Sequence, residues 1–592
     1  MAQTINEKQI DRTAKRKALA ERKRLEQVER QRAIDEREEL YGLQVDPGVH
    51  YYEEVAHRKP GDTNWVGYGF DIHPQVTFIS GGIMIIFIAW TLIAGESAAA
   101  VFNSILSTIS STFGWFYIGA ANVFVLAIAF FAFSKYGKIR LGGVNAKPEF
   151  SDFAWYSMLI SAGMGIGLMF YGVAEPIFHF SNPSPMFGVE TGTPEAAQAA
   201  FAVTFLHYGI HPWGIYALVS LALAFFAFNR GLPLTMRSVF YPLLGERIYG
   251  TWGNIIDILS VVATLFGLAT TLGFGVQQVA AGLNFLFGLP TDTWFQIVLI
   301  AVITGFATMS VVAGLDAGVR VLSEWNIRIA MALLAFVLIV GPTVYALGSF
   351  VQNLGYYIQT LPQLSFWAET YRPDSNWQGS WTVFYWGWWI SWSPFVGMFI
   401  ARVSKGRTVK EFVVGVMVLP TMLSFFWMSV FGGTAIFFEQ SGVDISRAVN
   451  ANVATALFEM FQNLPLTNVL SLIGILLVVT FFVTSSDSGS LVVDHLTSGG
   501  KLDSPVPQRV FWAIMEGTIA SVLLLGGGLA ALQTAAISSG LPLTVVLLVM
   551  IYSLQRGFNE ELYHIEEDEI KDVLGRTAID LETLEGGLAA GD

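Results

Sequence analysis

Aromatic residues crowd two short segments of this chain. The sequence WGWWISWSPFVGMF, residues 386–399, holds four tryptophans within seven positions, and HYGIHPWGIY occupies residues 207–216. Both lie inside apolar runs. Two rings in each segment are three positions apart and share one helix face, namely Trp389 with Trp392 and Trp213 with Tyr216. Because aromatic faces attract quaternary ammonium groups, this density favours a cage for a methylated ammonium over an interfacial belt or plain core packing.

Three alternate glycines form the next candidate. Gly163, Gly165 and Gly167 open the segment GMGIGLMFYG, residues 163–172. Gly163 and Gly167 are spaced for close helix packing. Closely spaced glycines also weaken a helix, and a broken helix inside a membrane frees backbone carbonyls that can bind a cation. Both interpretations stay open at this point.

Hydroxyl groups near the end of a later apolar run suggest a cation site. Thr484 and Ser485 are adjacent in the segment TFFVTSSDSGS, residues 480–490. Hard cations prefer oxygen ligands, although such hydroxyls also bond back to their own helix. Asp487 lies near the predicted membrane boundary and is a functional candidate for that reason, unless it only caps the helix or pairs with a cytoplasmic base.

The remaining polar residues of the apolar runs are interpreted as structural. Glu175 with Pro176 is expected to end its run at the outer interface, and Asp257 and Glu439 lie near the ends of theirs. The eight histidines show no metal-binding spacing. We find no phosphate-binding loop, nucleophile motif or paired catalytic carboxylates, so an enzyme is not expected.

The composition is that of a membrane protein. Of the 592 residues, 53% are hydrophobic and only 13% are charged, and the mean hydropathy is +0.53, whereas soluble chains are about a quarter charged. About twelve runs are long enough to cross a bilayer. The run 252–287 is long for one crossing, which predicts a strongly tilted or broken helix. The segment 356–370 is predicted to be a short helix at the outer membrane surface.

The loop charges predict that both termini lie in the cytoplasm, and the expected location is a cell (plasma) membrane of bacterial type. Fifteen bases fall in alternate loops on one side of the predicted spans, and only Arg372 and Arg447 fall on the other. This asymmetry is the positive-inside pattern. Residues 1–60 form a polar arm that could touch anionic lipid or a neighbouring subunit. The net charge of -13 argues against nucleic-acid binding through a basic domain. The chain has no cysteine, which excludes disulfides.

At the motifs GMGIGLMFYG, HPWGIYA and WWISWSPFVGMFIARVSKGRT the chain closely resembles the betaine/carnitine/choline transporter family, above all its sodium-coupled glycine betaine symporters. The resemblance covers roughly residues 60–556. It implies an all-α fold of twelve transmembrane helices, in which two extra helices precede two inverted five-helix repeats of the LeuT type, and a homotrimer. The implied divisions are a polar arm (1–60), two accessory helices (61–149), the first repeat (150–355), an external helix and loop (356–378), the second repeat (379–556) and an acidic tail (557–592).

The resemblance also implies the substrate site. Its cage would comprise Tyr208, Trp213, Tyr216, Trp389 and Trp392, with Trp388 on the pathway beside it and the backbone of Gly163, Gly165 and Gly167 close to the ligand. Relatives often have Trp at the position of Tyr208. Choline-transporting relatives resemble GMGID where this chain has Gly167, so a zwitterion, which carries its own carboxylate, is expected rather than choline.

Two sodium sites are implied in the same way. One would use the backbone of Ser161 and Met164 with Phe481, Thr484 and Ser485. The other would use Thr264 with Phe395. Leu268 replaces its second hydroxyl, so either Thr270 or Thr271 substitutes or the site is weak, and the sodium stoichiometry is open.

The expected function is sodium-coupled symport of a zwitterionic compatible solute, which would be glycine betaine, ectoine or proline. Two alternatives stay open, a sodium-independent exchanger of carnitine-like betaines and a non-transporting sensor on the same scaffold. The tail 557–592 departs from the basic C-terminal helix of osmosensing relatives, since residues 558–592 hold eleven acids and two bases. Osmotic activation through anionic lipid is therefore not expected of this tail.

Overall fold

The structure is a computed structural model, and it is almost wholly helical. It describes Tyr52, Arg58 and residues 60–163, 165–313, 320–372 and 374–589, with positions 313, 320 and 568–589 as helical backbone alone. Met164 and nearly all of the predicted polar arm therefore lie outside the described residues.

The chain begins with a small hairpin and continues as helices. Strands β1 (Trp65–Gly67) and β2 (Phe70–Ile72) pair antiparallel. The helices that follow in the first part are α1 (Pro74–Ala94), α2 (Glu96–Phe133), α3 (Asp152–Gly163), α4 (Ile166–Ser181), α5 (Pro194–Tyr208), α6 (Ile210–Phe228), α7 (Tyr241–Leu244), α8 (Thr251–Phe287), α9 (Thr293–Ala313) and α10 (Arg320–Val340). The helices of the second part are α11 (Thr343–Phe366), α12 (Trp377–Ser380), α13 (Thr382–Arg402), α14 (Val409–Gln440), α15 (Ile445–Ala451), α16 (Ala456–Phe461), α17 (Thr467–Thr497), α18 (Val506–Gly527) and α19 (Leu529–Ala589).

Membrane-crossing helices dominate the described chain. Ten helices are long and apolar enough to cross a bilayer, with α5 and α6 together forming one of them, and α3 with α4 adds an eleventh if this bent pair is one span. The prediction of an all-α membrane protein is thus confirmed.

Helix α8 corrects one detail of the predicted spans. It runs unbroken from Thr251 to Phe287 over 37 residues, or roughly 56 Å at the rise of an α-helix. A hydrocarbon core is about 30 Å thick, so α8 must tilt or extend beyond it. The broken form that the sequence left open does not occur.

The glycine segment interrupts its span as the sequence suggested. Helix α3 ends at Gly163, α4 begins at Ile166, and the axes of the two helices differ by 60°. Gly165 between them is extended, and a β-carbon added to it would meet no heavy atom within 4 Å. The interruption therefore leaves open space beside the backbone, where a ligand could approach.

Gly209 lies between α5 and α6, at a position where no larger residue fits. A β-carbon on Gly209 would lie 2.4 Å from the Phe205 carbonyl oxygen and 2.9 Å from the Tyr357 hydroxyl. Pro212 falls in the first turn of α6, where no backbone hydrogen bond is lost. Pro394, in contrast, lies inside α13, which continues through it.

Helix α13 occupies the centre of the protein. It packs against α6, α8 and α19, and 17 of its 21 residues are buried. Its tryptophans are therefore presented to neighbouring helices rather than to lipid, which argues against an interfacial belt.

The helix predicted at the outer membrane surface is longer than expected. The sequence placed a short helix at 356–370, but α11 begins at Thr343 and ends at Phe366. It is not among the helices apolar enough to span a bilayer, and it packs on α14 and α5.

The last helix leaves the bundle without a break. Helix α19 runs through the predicted boundary between the second repeat and the acidic tail. Just beyond that boundary Glu561 forms a buried ion pair with Arg230 and accepts from Asn229 Nδ2 at 2.9 Å. The start of the tail is thereby fixed to the end of α6.

Candidate functional site

A cavity lies at the interruption between α3 and α4. The space between its walls, with its open mouth included, is about 540 Å³. Its walls come from α3, α4, α5, α6, α8, α13 and α14. All nine residues predicted to contact substrate line it, namely Gly163, Gly165, Gly167, Tyr208, Trp213, Tyr216, Trp388, Trp389 and Trp392.

Trp389 is the ring around which the others are arranged. It stacks on Trp388 with 4.5 Å between ring centroids, and the rings of Tyr208 and Tyr216 stand edge-on to it at 5.6 and 6.3 Å. Trp213 is edge-on to Tyr216 at 5.4 Å. The aromatic faces therefore enclose one volume, the arrangement that attracts a methylated ammonium.

Some polar atoms of the cage have a hydrogen-bond partner, and others have none among the described residues. Trp388 Nε1 donates to Thr271 Oγ1 at 3.0 Å, and Trp389 Nε1 donates to the His207 carbonyl oxygen at 2.9 Å. Trp392 Nε1 and the Tyr216 hydroxyl are buried and have no hydrogen-bond partner among the described residues. Since buried donors normally find acceptors, these two are available to an anionic group on a ligand.

The glycines of the interruption differ in what surrounds them. A β-carbon on Gly163 would lie 3.0 Å from the Trp213 ring, so this glycine permits close packing. A β-carbon on Gly167 would make ordinary contacts, at 3.5 Å from Trp388 and 3.6 Å from Trp389. The Gly167 carbonyl accepts from the Tyr208 hydroxyl at 3.2 Å. A side chain at position 167 would thus enter the cage without a backbone clash.

Glu175 is the residue that the sequence reasoning placed wrongly. It was expected at the outer interface, at the end of its run, but α4 continues through Pro176 to Ser181 and Glu175 is fully buried. Its Oε1 lies 2.5 Å from His207 Nδ1, and its Oε2 accepts from the Tyr385 hydroxyl. The spacing of Glu175 and His179, four apart in an apolar run, was the available signal.

The same network reaches the cage. The Tyr385 hydroxyl lies 3.4 Å from that of Tyr208, and His207 Nε2 lies 3.0 Å from Thr382 Oγ1. Helices α4, α5 and α13 are therefore joined by hydrogen bonds immediately beside the substrate cavity. Glu175 is a positioning residue in this arrangement, since it acts on the cage through Tyr385 and Tyr208.

Two histidines of this network lie close enough to Glu175 to resemble a metal site, although the spacing of the histidines in the sequence did not predict one. Ligand atoms of Glu175, His179 and His207 lie within 4.8 Å of one another. Both oxygens of Glu175 are already engaged by Tyr385 and His207 at hydrogen-bonding distance. The three side chains are fully buried, and the hydrogen bond between Glu175 and His207 joins helices α4 and α5.

The residues of the first predicted sodium site are placed as follows. Ser161 lies near the end of α3, and Phe481, Thr484 and Ser485 lie on α17, while Met164 is outside the described residues. The single proton of Thr484 Oγ1 is shared between two acceptors of its own helix, the Thr480 carbonyl at 3.0 Å and the Phe481 carbonyl at 3.2 Å. This is the back-bonding alternative considered from the sequence; the hydroxyl's lone pairs remain free to accept or coordinate.

The second predicted sodium site keeps one free hydroxyl. Thr264 is fully buried on α8, and its Oγ1 has no partner among the described residues. Both suggested substitutes are engaged, since Thr270 donates to the Leu532 carbonyl and Thr271 accepts from Trp388. Leu268 fills the space against Gly489. Phe395 packs edge-on against Trp392.

The carboxylates interpreted as structural have structural contacts. Asp257 is buried in an ion pair with Arg237. Glu439 Oε2 accepts from the backbone of Ile445 at 2.7 Å and of Ser446 at 2.9 Å. Neither group faces the cage.

Comparison with known proteins identifies the family. A model of the betaine/carnitine/choline family transporters matches residues 75–563. The chain belongs to this family. The resemblance found in its motifs is thereby confirmed, and the protein is a multi-pass membrane transporter of the family.

Individual relatives agree with this assignment. The chain is 50% identical over 509 residues to a glycine betaine/proline/choline transporter of Vibrio parahaemolyticus, covering 83% of this chain and 91% of that one. A glycine betaine/proline/choline/ectoine transporter of the same organism is 47% identical, with 86% and 92% covered. A glycine betaine transporter of Acinetobacter baylyi is 45% identical, with 82% and 73% covered.

Proposed function

We propose that this transporter carries a zwitterionic compatible solute, which is glycine betaine, ectoine or proline, into the cell by symport with sodium. The observation that carries the substrate class is the pairing of two chemistries in one cavity. Aromatic faces around Trp389 suit the methylated cation, while Trp392 Nε1 and the Tyr216 hydroxyl are unpartnered donors among the described residues for a carboxylate.

The architecture proposed with this function has twelve spans. Helix α13 supplies the span beyond the ten helices and the bent pair. It has 21 residues and no charge before Arg402, long enough to cross, while its tryptophans and serines lower its hydropathy. The inverted LeuT-type repeats, the homotrimer and the cytoplasmic termini belong to the same proposal.

Sodium coupling rests on two supports. The Thr264 hydroxyl has no partner among the described residues and the lone pairs of the back-bonded Thr484 hydroxyl can still accept, while α8 contains no lysine or arginine that could replace a sodium ion. Each sodium crossing about 100 mV contributes ~2.3 kcal/mol. Coupling to one ion rather than two is therefore a large difference in the accumulation ratio.

Uptake of radiolabelled glycine betaine into proteoliposomes tests the proposal. With an inward sodium gradient we expect accumulation above equilibrium, and with potassium in its place we expect none. Trp389→Ala should abolish saturable uptake because the central ring of the cage is lost, whereas Trp252→Ala, an exposed position on α8, should leave it intact. Near-normal transport by Trp389→Ala would contradict the cage.

The same assay separates the alternatives. Uptake indifferent to sodium and stimulated by internal solute would identify an exchanger. Binding without flux would identify a sensor.

Position 167 tests the charge of the substrate. Gly167→Asp places a carboxylate beside Trp388 and Trp389, where the β-carbon fits. We expect this variant to gain choline uptake and to lose affinity for glycine betaine, since choline lacks an anion and the solute carboxylate would be repelled. Gly165→Ala, where nothing lies within 4 Å, is the steric control. Equal choline uptake by the unaltered protein would overturn the zwitterion preference.

A further inference from the structure

Another buried carboxyl group lies away from the cage, where α9, α17 and α18 meet. Glu516 is on α18, between its first and last turns, and is fully buried. The three helices pack on one another pairwise. None of the residues around Glu516 lines the substrate cavity.

Glu516 has a single hydrogen-bond partner among the described residues. Its Oε2 lies 3.0 Å from Ser486 Oγ, and its Oε1 has no partner there. The neighbouring residue Asp487 is also an acid and accepts from Ser310 Oγ at 2.6 Å. No described base forms an ion pair with Glu516. The one base on α18, Arg509, is seven positions away, about 10 Å along the axis.

A charge at this position would be uncompensated. An isolated ionised carboxylate inside a membrane protein costs several kcal/mol, whereas the neutral acid costs far less. A protonated Glu516 can donate to Ser486 Oγ across the observed 3.0 Å, because a serine hydroxyl both accepts and donates. The single partner is thus sufficient for the acid but insufficient for the carboxylate.

A sodium ion fits this place poorly. Hard cations bound by proteins take about six oxygen ligands. Besides the carboxyl group, nearby side-chain oxygens are those of Ser486, of Asp487 with Ser310, which are bonded to each other, and of Thr304, a buried hydroxyl next to Gly517 without a partner among the described residues. A proton needs one acceptor only.

We propose that Glu516 is a proton-binding site, separate from the solute cage and from both predicted sodium sites. Ser486, its partner, follows Thr484 and Ser485 directly on α17. Occupancy by the proton therefore bears on the helix that carries the predicted sodium hydroxyls. Removing the proton at high pH would put an uncompensated charge among three packed helices.

Infrared difference spectroscopy on the full chain in lipid vesicles tests the proton directly. We expect a carbonyl band of a protonated carboxyl group that shifts in heavy water, persists in Asp487→Asn and is lost in Glu516→Gln. If Glu516→Gln does not fold, Glu516→Asp keeps a carboxyl group and should shift the band instead. A wild-type spectrum without such a band, or a band unchanged in both Glu516 variants, would overturn the assignment.

Transport provides a second readout. Wild-type solute uptake should fall as the pH is raised on both sides of the membrane, whereas Glu516→Gln, a permanent mimic of the neutral acid, should keep its rate over the same range. Glu439→Gln, an acid bonded to backbone amides away from the cage, is the control and should retain the wild-type profile. Identical pH profiles for wild type and Glu516→Gln would show that the proton has no bearing on transport.

Discussion

Glu175 and Glu516 are both fully buried glutamates in membrane-crossing helices, yet their surroundings are opposite. Glu175 has both oxygens engaged, by His207 on α5 and by Tyr385 on α13, and a second histidine lies 3.5 Å away. Glu516 has one serine and an acid as neighbours. The protein thus stabilises one carboxylate with partners from other helices and leaves the other without a counter-charge among the described residues. Burial alone does not reveal the state of an acidic group; its neighbours do.

The largest expected effect on the free energy of unfolding comes from replacing glutamate with glutamine, and it should differ between the two positions. Glu175→Gln removes the charged acceptor of two buried donors, so we expect a loss of about 3 kcal/mol in the free energy of unfolding. Glu516→Gln should change this free energy by less than about 1 kcal/mol, since an amide resembles the neutral acid. Thermal unfolding in detergent measures both. Equal losses of unfolding free energy would contradict the proposed difference between the two glutamates.

A smaller effect is expected at the link between Glu175 and the cage. Tyr385→Phe keeps the ring but deletes the hydroxyl that donates to Glu175, for a loss of about 1.5 kcal/mol. The half-exposed Tyr345, whose hydroxyl contacts Gln440 at 3.1 Å, is the matched control, and Tyr345→Phe should be near neutral. A neutral result for Tyr385→Phe would mean that Glu175 does not depend on this donor.

Ser486→Ala tests whether Glu516 is neutral. If Glu516 is neutral, the lost hydrogen bond is between uncharged groups, and we expect a change of about 1 kcal/mol in the free energy of unfolding. A loss of roughly 3 kcal/mol or more would instead indicate a charged acceptor. Ser521→Ala on the helix of Glu516, a half-buried serine that bonds to the Gly517 carbonyl at 2.9 Å, is the control.

The smallest effect on stability is expected at Tyr208. Its hydroxyl reaches the Gly167 carbonyl at 3.2 Å, a long hydrogen bond, so Tyr208→Phe should cost only about 0.5 kcal/mol. Solute affinity should change more clearly, because this bond holds the interrupted backbone beside the cage. Uptake kinetics measure it as a raised KM, and an unchanged KM would separate Tyr208 from the binding site.

The residues that line the cavity could be predicted from the sequence because many of them form local patterns. The tryptophans repeat at helical spacing, the glycines alternate, and both motifs are specific to the family. Glu175 could not be placed in this way, since its partners His207 and Tyr385 are 32 and 210 positions away. The unbroken course of α8 was likewise undetermined, because apolar length fixes neither tilt nor break. The sodium ligands stay predictions.

The unbroken course of α19 has a mechanical consequence. Glu561 is anchored by its ion pair with Arg230, and the helix continues for 28 further residues to Ala589, roughly 42 Å along its axis. A rotation of about 10° at the anchor would sweep the tip of such an arm through ~7 Å. A small tilt of helix α19 within the helix bundle would therefore become a much larger displacement at the far end of the acidic tail.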